Sequence, residues 1–357
     1  MGSSFFRKFP ELKPTEYPRV KHTGKIIVLA YPDTYVLHSN EWFCKVLPWF
    51  GLGTREYIKA GHAALVLIDD RTGEARYYDF GRYITPHGFG RVRSRETDAE
   101  LHLPLHGEFD DGGALLNLDQ FLVWLDAHPE RTHGSGRLLA SVCATVEWDK
   151  AFRFIHELQA RGSIPYGAFV RNGSNCARFV TDTLLASSWD SSVRRLLRRN
   201  KRFTPSTVGN VEKASSDGLV FQVRNGEVRR YSGSALKENL RNYFDRKRPE
   251  YEHDFNSEDV LTQRAQWLDG IGSGAWFELV DEALPDGRYR IRRYNGRGVM
   301  DHEAIYYSTE LDCSRPFQFT YDSHCAYCHI VQDGRTIRLE NLSVSRADQF
   351  IAKPAWS

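Results

Sequence analysis

The chain has 357 residues, 41% hydrophobic and 26% charged, enough for two or three ordinary domains with a sizeable buried core. Its formal net charge of +2 excludes a general electrostatic attraction to nucleic acid or to an anionic membrane surface. No apolar run approaches the roughly 20 residues that a membrane-spanning helix needs. Six cysteines in 357 residues are too sparse for a disulfide framework and favour a reducing compartment, with the cytoplasm as the expected location. Residues 1–24 have neither an unbroken apolar stretch nor a small-residue cleavage site, so they read as an N-terminal extension rather than a secretory signal.

In chain order, KIIVLA at 25–30 reads as a short buried strand, and Asn40 is placed to cap a helix over 41–47. Residues 61–83, GHAALVLIDDRTGEARYYDFGRY, have the form of a hairpin: an apolar strand, an Asp-Arg-Thr-Gly turn and an aromatic return strand. The Gly-rich, charged stretch 87–113 reads as irregular with an edge strand at 99–105, followed by a helix over 116–125 with Asn117 or Asp119 near its start. RLLASVCAT at 137–145 is strand-like. Residues 148–160 carry apolar side chains at helical spacing, and YGAFV at 166–170 reads as a short aromatic strand. The polar run 201–216 marks a boundary between a domain at 25–205 and a β-rich part at 215–357. That second part contains helices at 234–246 and 257–268. The fold class expected from this order is α+β.

The stretch NGSNCARFVTDTLL, residues 172–185, puts one cysteine at the start of a helix. Ser174 or Asn175 can cap that helix, leaving Cys176 in its first turn, where unpaired N–H groups and the helix dipole favour a thiolate. Cys176, Phe179, Val180, Thr183 and Leu184 share one stripe facing a sheet, with Arg178, Thr181 and Asp182 on the wet side. A lone buried cysteine is most often a small hydrophobe, so a nucleophile needs a base beside it. His62, opening the apolar strand 63–68, supplies one. An even-numbered turn sets residue 64 opposite 79, so His62 and Asp79 fall on one face as diagonal neighbours about 7–8 Å apart at Cα. A carboxylate there orients an imidazole and stabilises its cation.

These residues resemble the circularly permuted papain-like proteins of the NlpC type, including the YiiX-like and lecithin–retinol acyltransferase-like branches. GHAALVLI with its return strand ARYYDFG, and YGAFVRNGSNCARFVTDTLL, carry the likeness over residues 25–200, with the histidine ahead of the cysteine. An acid on the return strand, as at Asp79, is similar to the YiiX-like branch. The resemblance implies a permuted papain-like domain with an antiparallel sheet and packed helices. It also implies a Cys176–His62–Asp79 triad acting on an amide, peptide or ester bond through a thioester, by hydrolysis or acyl transfer. Backbone N–H groups at the helix start would hold the oxyanion, with Tyr166 and Asn175 as further contacts to oxyanion or substrate. No cofactor is implied. The competing class is a binding or scaffold protein that keeps the fold without catalysis.

SHCAYCHI at 323–330 pairs Cys325 and Cys328 in a CxxC between two histidines, a weak candidate for metal or redox chemistry because no second ligand pair follows. SSVRRLLRRNKR at 191–202 reads as a basic helix with Val193, Leu196 and Leu197 on one side. With no interleaved aromatics it reads as a solvated face rather than a specific nucleic-acid site.

Overall fold

The computed structural model describes residues 23–38, 41, 46–202, 204–247, 264–285 and 287–343. The first half runs β1 (Gly24–Tyr31), β2 (Val36–Leu37), β3 (Tyr57–Ile58), β4 (His62–Asp69), β5 (Ala75–Gly81), β6 (Phe89–Arg93), α1 (Leu118–Ala127) and α2 (Pro129–Thr132). Next come β7 (Leu138–Val146), α3 (Trp148–Gln159), β8 (Ile164–Pro165), α4 (Cys176–Ser187), α5 (Ser191–Lys201), α6 (Thr207–Ala214), β9 (Phe221–Arg224), β10 (Glu227–Arg230) and α7 (Ala235–Tyr243). The remainder is β11 (Gln266–Leu268), β12 (Ala275–Leu279), β13 (Arg288–Asn295), β14 (Met300–Tyr307), β15 (Gln318–His324), β16 (Tyr327–Gln332) and β17 (Arg335–Asn341).

The first sheet has the order β10-β9-β7-β1-β4-β5-β6-β8, with antiparallel pairing throughout. β1 and β4 lie in its middle and are buried along their whole length, which is why both read as unbroken apolar runs. Alternate residues feed two cores. Ile26, Val28, Leu65 and Phe80 pack with α3, α4, α5 and α6 on one face, while Ile27, Leu29, Val66 and Tyr77 pack with α1 on the other. The fold is therefore mixed α and β with antiparallel sheets.

Several expectations change. The edge strand at 99–105 is a single 3-10 turn, Ala99–Leu101, because Asp98 is drawn into a buried ion pair and Glu100 into a half-buried one rather than a ladder. Asn117 precedes α1, yet its side chain is spent on the loop before it, accepting from Glu108 N at 3.0 Å and donating to His106 O at 2.8 Å. Strand pairing near 166–170 shrinks to β8 and a single bridge between Tyr166 and Ser174. The polar run 201–216 contains α6, whose Thr207, Asn210 and Val211 are buried. Its Asn210 donates to Ala177 O and accepts from Thr181 Oγ1, both at 2.7 Å, so Thr181 is fully buried rather than wet. On α5, Val193 and Leu197 are buried but Leu196 is exposed. The hairpin β9–β10, turned by Asn225 and Gly226 at positive φ, extends the first sheet past the polar run where a boundary was expected. The helix expected at 41–47 falls largely outside the described residues. Of the one at 257–268, residues 257–263 lie outside them and Gln266–Leu268 is a strand.

The second sheet, β11-β12-β13-β14-β17-β16-β15, curls until its ends meet. Gln266 on β11 closes it with its side-chain amide, accepting from Phe319 N at 2.7 Å and donating to Phe317 O at 3.3 Å. The interior holds Phe277, Ile291, Phe319, Cys328, Ile330 and Leu339. It docks beside β5 and β6, where Ile84 N donates to Ser273 O and Gly272 N to Arg82 O. Arg293 on β13, buried, enters the acids of the first unit, bonding Asp98 at 3.1 Å and Glu100 at 2.5 Å.

Candidate active site

His62 begins β4 immediately after Gly61, whose φ of +76° is the left-handed region that glycine adopts without strain. A Cβ there would also sit 2.9 Å from Thr207 Oγ1 and 3.0 Å from Tyr31 O, so the position is closed to side chains. On the return strand the register sets Ala64 opposite Asp79, the arrangement an even-numbered turn requires. His62 Nε2 lies 3.4 Å from Asp79 Oδ2, and the ring stacks on Tyr31, its cross-strand partner.

Cys176 opens α4. Asn175 caps that helix through its side-chain oxygen, which accepts from Arg178 N at 2.8 Å, leaving the first N–H groups of α4 without intrahelical partners. By alternation His62 and Asp79 project on the sheet face that α1 covers, while α4 packs on the opposite face. The two sets meet at the strand ends, where Cys176 is near enough to His62 to be one of the groups that raise the ring's pKa. Cys176 and His62 retain 7% and 6% exposure and Asp79 none.

The charges follow from these contacts. Burial works against a cationic ring, but Asp79 and Cys176 outweigh it and push His62 up to about 9. Burial likewise favours a neutral Asp79, but the adjacent Arg93 guanidinium and His62 hold its carboxyl well below the usual carboxylate range. Tyr166, also expected at the site, lies near enough to Cys176 to be influenced by it. Burial pushes that phenol up, so it stays a donor. Asn175 is committed through Oδ1 to the helix cap.

The sequence reading missed several neighbours. Arg93, on β6 directly opposite Asp79, donates Nε to Oδ1 at 2.9 Å and Nη2 to Oδ2 at 2.5 Å. Tyr77 donates its hydroxyl to Asp79 Oδ2 at 3.1 Å. Tyr83 lies under the Arg93 guanidinium at 3.8 Å and stacks on His133, which burial and Arg93 push down to about 3. The available signal was the spacing of Arg91 and Arg93, two apart as on one face of a strand, in a stretch read as irregular.

A cleft of about 220 Å³ lies against Tyr166, lined also by His38, Glu41, Arg82, Val170 and, from the second unit, Ile271. Cys325 and Cys328 stand elsewhere, buried at the β15–β16 turn, where burial pushes Cys325 up to about 12 and Cys328 higher than its ordinary value. Among the described residues no group of three or more His, Cys, Asp or Glu side chains is gathered as a metal ion requires. No helix among them is long and apolar enough to cross a membrane.

No curated protein matches the chain. The crystal structure of the type VI secretion system effector TseH is similar over 59% of this chain and 100% of that chain, at 18% identity and a TM-score of 0.40. Residues 265–342 match the family model described as the DUF6695 C-terminal domain. Residues 26–193, the stretch that contains His62, Asp79 and Cys176, match the family model described as type VI secretion system effector TseH-like.

Proposed function

We propose that the protein is a cysteine hydrolase or acyl-transfer enzyme of permuted papain-like design, with Cys176 as nucleophile, His62 as base and Asp79 as the group that orients His62. The observation that carries this reading is the His62–Asp79 contact of 3.4 Å beside the capped start of α4, from which Cys176 acts on the same imidazole. The thiolate attacks the carbonyl carbon of an amide or ester. The developing oxyanion is met by N–H groups at the start of α4 and by the Tyr166 hydroxyl. His62, cationic in the ion pair, gives its proton to the leaving amine or alkoxide, and a thioester remains on Cys176. Water or a second acceptor, deprotonated by His62, attacks the thioester and returns the thiol. The match of residues 26–193 supports the further reading that the chain acts as a type VI secretion system effector. The sparse cysteines favour a reducing site of action, for which we propose the cytoplasm.

Intact-mass analysis after incubation with acyl and peptide electrophiles tests this. One adduct on the wild type and none on Cys176→Ala is expected. An equal adduct on both, or none on either with probes of every class, overturns it and favours a non-catalytic binding protein.

A further inference from the structure

Arg93 is too well placed to be only a core ion pair. Its side chain is 1% exposed, Asp79 is not exposed at all, and the two lie opposite each other on adjacent strands with both guanidinium contacts used. The remaining face of the guanidinium rests on Tyr83, and Nη2 also reaches Arg131 O at 3.3 Å. Oδ2 of Asp79 therefore serves three donors at once, Arg93, Tyr77 and His62, with His62 the most distant at 3.4 Å.

Count the charges in this buried cluster. With the thiol and imidazole both neutral, Arg93 and Asp79 cancel. With thiolate and imidazolium formed, four charges cancel again, so moving the proton from sulfur to ring creates no net buried charge. Without Arg93 the cluster carries a net negative charge out of water whether the proton sits on sulfur or on the ring, and that charge opposes loss of a proton from the cluster. The other groups facing the cluster do not replace it. Tyr31, Tyr77 and Tyr83 keep their protons because burial pushes each phenol up. His133 is held neutral by burial and by Arg93. Tyr166 and Tyr243, on the Cys176 side, are also pushed up by burial. Glu100 lies 4.0 Å from Arg93 and is bound by Arg293, while Asp98 is held by Arg91 and Arg293.

We infer that Arg93 is a positioning residue of the reaction: it fixes the Asp79 carboxylate that faces His62 and keeps the buried cluster of Asp79, His62 and Cys176 free of net negative charge. This rests on the reading of Cys176 as nucleophile.

The test is the rate of Cys176 alkylation by iodoacetamide between pH 5 and 10, followed by peptide mapping, for wild type, Arg93→Lys and Arg93→Gln, with folding checked by circular dichroism. Losing a positive charge raises the pKa of every acid nearby, so the acid limb for Arg93→Gln should move up by about one pH unit or more. Arg93→Lys keeps the charge and loses the two-point grip, so its limb should stay within about half a unit of wild type while the rate falls. A folded Arg93→Gln protein with the wild-type limb overturns the inference. If Arg93→Gln does not fold, a limb for Arg93→Lys displaced by about a unit overturns it and an unmoved limb supports it. Wild-type Cys176 reacting no faster than the other thiols would instead count against the nucleophile reading, since mapping still locates each variant's limb.

Discussion

Replacing Asp79 by Asn keeps the side chain's shape and removes its charge. The first consequence is energetic. Arg93 stays in place with 1% exposure and only Glu100, 4.0 Å away, as an anionic neighbour, and breaking a buried pair from one side costs about 3–5 kcal/mol. At about 2–4 °C per kcal/mol for a unit of this size, the thermal midpoint should fall by roughly 6–20 °C. The second consequence is chemical. With the carboxylate gone, burial becomes the dominant influence on His62, and the ring should titrate well below its value of about 9. The thiolate then loses its cation, and alkylation of Cys176 at pH 7 should slow about tenfold or more, or about 1.4 kcal/mol. The double variant Asp79→Asn, Arg93→Met separates the two effects. Removing both charges should restore at least half of the lost thermal stability and none of the lost reactivity. Calorimetry and timed alkylation with peptide mapping read both quantities. Wild-type alkylation by Asp79→Asn, or recovered alkylation in the double variant, would refute the reasoning.

Asn175→Ala removes the cap of α4 and should cost about 1 kcal/mol, seen as a fall of about 2–4 °C in thermal midpoint. Arg293→Met removes a guanidinium from Asp98, Glu100 and Asp301 at the junction of the two units, leaving Arg91 on Asp98. A loss of about 3 kcal/mol or more in denaturant unfolding is expected, and a loss under 1 kcal/mol would show that the docking does not depend on this residue. The folded His62 pKa of about 9 lies above the ordinary value of 6.5, so its stabilising effect is complete below about pH 6.5 and is lost as pH rises through 9. The melting temperatures of wild type and His62→Gln, measured from pH 6 to 10, should therefore converge at the alkaline end.

The register of the β4–β5 hairpin was legible because its turn is even-numbered and its apolar strand too regular to slip, so the relation of His62 to Asp79 followed from counting. The N-cap of α4 was legible for a similar local reason, an Asn just ahead of an apolar stripe. What escaped depends on partners distant in sequence. Arg93 lies in a stretch rich in glycine and charge, and it becomes a strand residue only because β5 offers an edge and Asp79 a partner. Thr181 looks solvent-facing until α6 lays Asn210 over it, and α6 itself is hidden in a polar run whose Thr207 and Asn210 are buried by satisfying other groups. Closure of the second sheet depends on one glutamine side chain replacing a row of backbone bonds, which has no period to read.

The central claim is that one imidazole is held between a carboxylate and a thiol. The NMR titration of the His62 ring in wild type, Asp79→Asn and Cys176→Ala measures this most directly. A midpoint near 9 in wild type and a marked fall in both variants are expected. A midpoint near 6.5 in wild type, unmoved by the loss of Cys176, would contradict it.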